Sequence, residues 1–154
     1  RLGDALQAAA MDLELPLKRG GTYLAMEGPQ FSSKAESALY RSWGCHVIGM
    51  TNMPEAKLAR EAELCYATVA MVTDFDCWHP DHDHVTVEQV VETLFSNADH
   101  ARALIAKTLP RLATRNAPCD RGCHHALDSA VITAPEARDP ALAAKLAVIA
   151  GRVL

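Results

Sequence analysis

Two carboxylates one residue apart, Asp74 and Asp76, directly follow a run from Cys65 to Thr73 that reads CYATVAMVT. The run is almost wholly apolar and β-favouring, so it predicts a strand covered on both faces. A carboxyl group delivered by such a strand into a partly dry site has a raised pKa, stays protonated and can act as an acid. The bland alternative is that Asp74 caps the next turn and Asp76 is solvated, since Asp is common where strands end in turns. A second chemically active group, Cys119, Cys123, His124 and His125, falls within seven residues. Zinc is one reading, but the spacing is not a paired CxxC design; reduced structural cysteines and a local disulfide are the others. His79, His82 and His84 interleave with Asp81 and Asp83. Side chains on an irregular segment need not converge, so this stretch reads as a solvated loop. No resident metal is expected at either cluster.

The elements that must position these groups follow from periodicity. Leu2, Leu6, Ala9, Ala10 and Leu13 share one face of a first helix over residues 2–13. Gly20-Gly21 breaks the chain, and residues 22–26 read as a strand ending in the turn Glu27-Gly28-Pro29-Gln30-Phe31. Ser33 and Glu36 match a capping box, in which each side chain satisfies a free amide at a helix start. The helix it opens runs to about Trp43 and stops at Gly44. Residues 46–50 form a short strand, and Pro54 suits the first turn of a helix reaching about Glu63. Helical periodicity then covers residues 86–109, with Pro110 ending it, followed by a short helix near 124–132 and an alanine-rich one from about 139. Strands alternating with helices make this an α/β layered fold. In open α/β sheets ligands gather at the carboxyl ends of strands, where Glu27 to Ser32, Met50-Thr51 and Thr73 to Asp76 would lie. Trp43, Trp78, Tyr23, Tyr40 and Tyr66 read as packing residues, and Glu27 as either ligand-facing or locally paired.

Composition narrows the function classes. The 154 residues suffice for one domain with a sizeable core, and 49% hydrophobic with 22% charged residues is ordinary for a soluble globular protein. A net charge of −4 argues against a broad nucleic-acid surface. No run approaches the roughly 20 apolar residues that cross a bilayer. Five cysteines, an odd count, point to reduced thiols and a cytoplasmic setting. The chain starts at Arg1 with a helical pattern already running by Leu2, as expected if a larger protein was cut here or a preceding segment is absent.

The ordered string of short motifs is more specific than any one of them. Gly20-Gly21-Thr22-Tyr23, Glu27 to Ser33 with Ala35-Glu36, Trp43-Gly44, Met50 to Glu55 and Thr73 to Trp78 closely resemble the trimeric nucleoside phosphorylase family. Within that family they look like the methylthioadenosine phosphorylases. The resemblance covers about residues 2–112 and weakens over the tail.

The resemblance implies a partial nucleoside-phosphorylase-like mixed sheet flanked by helices. Residues 1–154 would be the C-terminal portion of one domain, without its phosphate-binding N-terminal half. It implies that Asp74 is the catalytic acid, facing the purine N7 and the exocyclic amine, with Asp76 assisting at that amine. Phe31 would pack on the purine face, Ser32 lie at its edge, and Met50 lie against the ribose. Thr51 would contribute to the phosphate site, while Val87, Val90 and Ile132, the last from a C-terminal helix, line a 5′ pocket. Relatives that cleave 6-oxopurines resemble this chain but carry Glu in place of Ser32 and Asn in place of Asp74, so 6-aminopurines are the expected substrates. Methylthioadenosine and inorganic phosphate are the implied ligands, no cofactor is needed, and the full-length assembly would be a homotrimer. The family's glycine-rich phosphate loop and Arg-His pair have no match here, so the chain alone is expected to be inactive. The competing readings are a phosphorylase of ordinary purine nucleosides and a non-catalytic nucleoside-binding or assembly module.

Overall fold

The computed structural model describes residues 1–79, 87–113 and 117–154. These fall into two compact units, one of residues 3–52 and 68–115, the other of residues 1–2, 53–67 and 116–154.

The first unit begins in helix α1 (Leu2–Asp12), whose small residues Ala5, Ala9 and Ala10 are buried. Ala9 and Ala10 pack with Leu104, and Leu6, Leu13 and Leu15 close around them. Leu104 belongs to the 27-residue helix α4 (Val87–Ala113). Arg111 of α4 hydrogen-bonds the Asp12 carboxylate, and Lys107 reaches it at 3.4 Å. The Arg111 guanidinium, and then Lys107, hold that carboxyl below its ordinary range.

Strands β1 (Tyr23–Ala25) and β2 (Val47–Gly49) pair in parallel, Leu24 opposite Ile48. Parallel neighbours need a crossover, which helix α2 (Lys34–Ser42) supplies. The capping box is present at its start: Glu36 N–H donates to Ser33 Oγ at 3.3 Å, and Ser33 N–H donates to Glu36 Oε2 at 2.7 Å. The same amide of Ser33 holds the Glu36 carboxyl below its ordinary range. Trp43 caps the other end, and Gly44 takes φ +77°, the left-handed conformation that ends helices.

The second unit contains helix α3 (Glu55–Glu61), with Pro54 at its N-cap, and helix α5 (Pro140–Ala150), capped by Asp139 accepting from the amides of Ala141 and Leu142. Glu63 ties the unit together: it accepts from Leu127 N–H at 3.0 Å and from Arg152 Nε at 2.8 Å. Arg152, and then the Leu127 amide, bring the Glu63 carboxyl down to about 2.

Five sequence expectations change. The strand over residues 65–73 is absent; these residues form no ladder among the described residues, and Cys65, Val69 and Val72 are exposed. A strand exists only through a neighbour that takes its amides and carbonyls. Here Asn97 Nδ2 donates to the Val72 carbonyl at 3.0 Å and the Thr68 hydroxyl bonds Asn52 Oδ1. Pro110 does not stop α4, which continues through it to Ala113; a proline near the last turn disturbs few hydrogen bonds. The region 124–132 holds only a 3-10 turn (Cys123–His125) followed by turns. The sizeable core is not seen either, since the buried apolar residues described are Ala5, Ala9, Ala10 and Leu104. Of the aromatic residues expected to pack, Trp43 is 63% and Tyr66 44% exposed. No helix among the described residues is long and apolar enough to cross a membrane.

Candidate active site

Beyond Ala25, β1 runs into the turn that carries Phe31 and Ser32, and beyond Gly49, β2 runs into Met50 and Thr51. The ladder continues one bond past its end, with Met26 N–H donating to the Gly49 carbonyl at 2.9 Å. The two exits therefore leave the sheet side by side. Gly28, at φ +75°, brings its backbone so close to Met50 that an added Cβ would meet the Met50 sulfur at 2.7 Å. Only glycine adopts that conformation at no steric cost and leaves that space.

The third segment reaches the same place. The Cys77 Sγ lies 3.7 Å from the Ser32 carbonyl, to which it donates, and the Ser32 hydroxyl lies 3.9 Å from the Met26 sulfur. Cys77 belongs to a 3-10 turn (Asp76–Trp78), and the Arg41 guanidinium of α2 sits 3.7 Å from the centre of the Trp78 ring. Asp74 is fixed from both sides. Its Oδ1 accepts the Asp76 N–H at 2.8 Å, and its Oδ2 accepts the Thr73 hydroxyl at 2.8 Å. That is the turn-capping role of the bland sequence reading, with Asp76 at φ +61°. Each carboxylate oxygen keeps a further lone pair, so the cap leaves Asp74 able to meet a ligand.

Exposure departs from the sequence picture. Asp74 is exposed rather than sheltered by a covered strand, because residues 65–73 lack the neighbours that would cover it. Phe31 is 84% exposed and Met50 37%, while Thr51 is exposed and Ser32 and Asp76 are half-buried. The Phe31 ring and the Asp74 carboxylate are thus open to solvent, and Met50 is partly so. Val87 and Val90 stand in the first turn of α4, but their side chains lie outside the described residues. Ile132 belongs to the other unit, is 95% exposed and lies on no helix, contrary to the expected helical placement. In the 79–84 stretch, Asp81, His82, Asp83 and His84 lie outside the described residues; His79 packs its ring 4.9 Å from Phe75.

Two groups escaped the sequence reading. The contact of Arg41 with Trp78 had no spacing signal, because helix and turn meet only in the fold. The other lies in the second unit, where Cys65 joins Cys119 and Cys123, all three sulfurs within 4.8 Å of one another. Hydrogen bonds from the backbone of Arg121 and Cys123 bring the Cys119 thiol down to about 7. Cys65, which shares a hydrogen with Cys119, is pushed up to about 11. The open recess lined by Met53, Ala56, Lys57, Arg60 and Leu127 contains none of the predicted site residues.

Similar proteins bear on this geometry. S-methyl-5′-thioadenosine phosphorylase of Rhodospirillum rubrum is 63% identical over 99% of this chain and 52% of its own length. The protein of the same name from Bradyrhizobium diazoefficiens is 62% identical over 100% of the chain and 53% of its own length. A crystal structure of methylthioadenosine phosphorylase from an antarctic soil metagenomic library superposes with a TM-score of 0.85 at 40% identity, covering 96% of this chain and 52% of that one. Methylthioadenosine phosphorylase from Schistosoma mansoni in complex with adenine gives a TM-score of 0.70 at 27% identity, over 83% and 50%. The chain spans about half the length of the curated relatives it matches. The family model described as phosphorylase superfamily matches residues 1–110, the stretch that holds both strands and all three converging loops. This chain belongs to the phosphorylase superfamily.

Proposed function

We propose that this chain supplies the purine and ribose side of an active site for phosphorolysis of S-methyl-5′-thioadenosine, yielding adenine and 5-methylthioribose-1-phosphate. The observation that carries the reading is the bond from Cys77 to the Ser32 carbonyl, which brings the Asp74 turn to the Phe31 loop. Relatives named for this reaction, 60% or more identical over nearly the whole chain, support the same assignment.

In the proposed chemistry the glycosidic C–N bond breaks and its electron pair goes to the purine. Asp74 donates its proton to N7 as that charge develops, and a phosphate oxygen forms the new bond at the anomeric carbon. General acid assistance of this kind is worth roughly 10²–10⁴ in rate. Donation requires the protonated carboxyl, which drier surroundings favour. Asp74 is exposed in the chain by itself, so the reading assigns its cover to substrate and to chain beyond these residues. Asp76 takes the exocyclic amine, Phe31 and Ser32 the purine, and Met50 the ribose. Val87 and Val90 give the 5′ side an apolar lining, where a methylthio group loses nothing and a hydroxyl would be left unpaired.

A lone Thr51 cannot hold a phosphate dianion, which takes several amides and a cation. The main phosphate site, and a homotrimer completing the 5′ pocket, therefore belong to the longer protein in this reading, as does a cytoplasmic setting. The test compares methylthioadenosine, adenosine and inosine, each with phosphate, on the chain alone and on a polypeptide joining it to a phosphate-binding half. Turnover of methylthioadenosine by the joined polypeptide, with none by the chain alone, is expected. Preference for inosine, or robust turnover by the chain alone, contradicts the reading.

A further inference from the structure

The strongest feature outside the candidate active site is the thiol triad of the second unit. Cys65 follows α3, whereas Cys119 and Cys123 flank a turn far along the chain, so their meeting is a product of the fold. The turn is shaped for it: Gly122 takes φ +64° and its N–H donates to the Cys119 carbonyl at 3.1 Å. That folds Cys123 back until its sulfur is 3.4 Å from that of Cys119. A disulfide needs sulfurs about 2.05 Å apart, and all three cysteines are free thiols.

The spacing matches another use of three thiols. Zinc binds thiolate at about 2.3 Å with tetrahedral angles, which sets ligand sulfurs roughly 3.8 Å apart. The triad, with one pair at 3.4 Å and every pair within 4.8 Å, brackets that value. A disulfide between any two would also leave the third sulfur without a role, whereas a cation uses all three. Beside Cys123, the His124 Nδ1 is buried with no hydrogen-bond partner among the described residues, so the immediate surroundings hold an unassigned metal-ligating nitrogen as well.

We infer that Cys65, Cys119 and Cys123 form a three-thiolate site for a thiophilic d¹⁰ cation, zinc being the probe of choice. The site joins the end of α3 to the C-terminal region and stands independently of the reading of Asp74. Its role is structural, since three protein thiolates around zinc clamp two segments that the sequence holds far apart.

The experiment takes the full chain, reduced and stripped of metal, and titrates it with Zn²⁺ against a chromophoric chelator. A single equivalent should bind, and Cys65→Ser, Cys119→Ser and Cys123→Ser should each weaken binding by at least roughly 10–100-fold, the loss that even an outer-shell partner causes. Cys45→Ser should bind like the unsubstituted chain. Co²⁺ in place of Zn²⁺ should give a sulfur-to-metal absorption band of three-thiolate intensity, a readout that does not depend on the variants folding. No uptake, a band too weak for three thiolates, or unchanged binding in Cys65→Ser overturns the site.

Discussion

The Cys77 thiol reaches the Ser32 carbonyl at 3.7 Å, spanning 45 residues of sequence and holding two loops of the candidate site together. A thiol is a weak donor, so its loss should barely move global stability. Cys77→Ala is expected to raise KM for the nucleoside several-fold with little change in kcat, while Cys77→Ser restores most of the loss. Steady-state kinetics on the joined polypeptide gives both numbers, and equal changes in kcat and KM would argue against a positioning role.

Asp74→Asn separates the acid from the cap. An asparagine amide oxygen still accepts the Asp76 N–H, so the turn should persist and the melting temperature should stay put. The proton for N7 is gone, so kcat for methylthioadenosine should fall roughly 10²–10⁴-fold. Full activity in the folded variant would remove Asp74 from the chemistry.

Ser33→Ala deletes one half of the capping box. Loss of an N-cap side chain costs about 0.5–2 kcal/mol, and urea denaturation followed by circular dichroism should show a loss in that range. Because Phe31 and Ser32 immediately precede this cap, nucleoside affinity should weaken alongside stability.

Acid should loosen the contact between α1 and α4. The Asp12 carboxyl is held below its ordinary value of 3.8, chiefly by Arg111. A depressed carboxylate contributes stability that is fully present above the unfolded value and is lost as pH falls through the folded one. Melting temperature should therefore drop more steeply below about pH 3.8 in the unsubstituted chain than in Asp12→Asn. The partners are more than a third exposed, so the difference should be small and shrink further in salt.

Local signals carried most of what was legible. The Ser33–Glu36 pair, the stop at Gly44, Pro54 at a helix start and the two strands at 23–25 and 47–49 all rest on neighbours a few residues apart. What the sequence alone misjudged depends on distant partners. The run from Cys65 to Thr73 has strand chemistry, but a strand also needs a ladder neighbour, and it has none among the described residues. Asp74 consequently lacks its expected shelter, and Ile132 lacks its helix. Cys65 was invisible as a companion of Cys119 because no periodicity links positions so far apart. At Asp74 it is the turn-capping reading that the structure displays, since Oδ1 accepts the Asp76 N–H, and the spare lone pairs are compatible with a ligand without indicating one.

Helix α2 begins at the Ser33 cap that directly follows Phe31 and Ser32 and, in its last turn, lays Arg41 on Trp78. It therefore acts as a measuring rod between the two loops, each residue advancing about 1.5 Å and rotating the next by about 100°. Side chains along its exposed face can be exchanged freely without altering that interval. Adding or deleting a single residue between 34 and 41 would swing the arginine away from the indole and put the two loops out of phase. Length, more than composition, is what this helix cannot change.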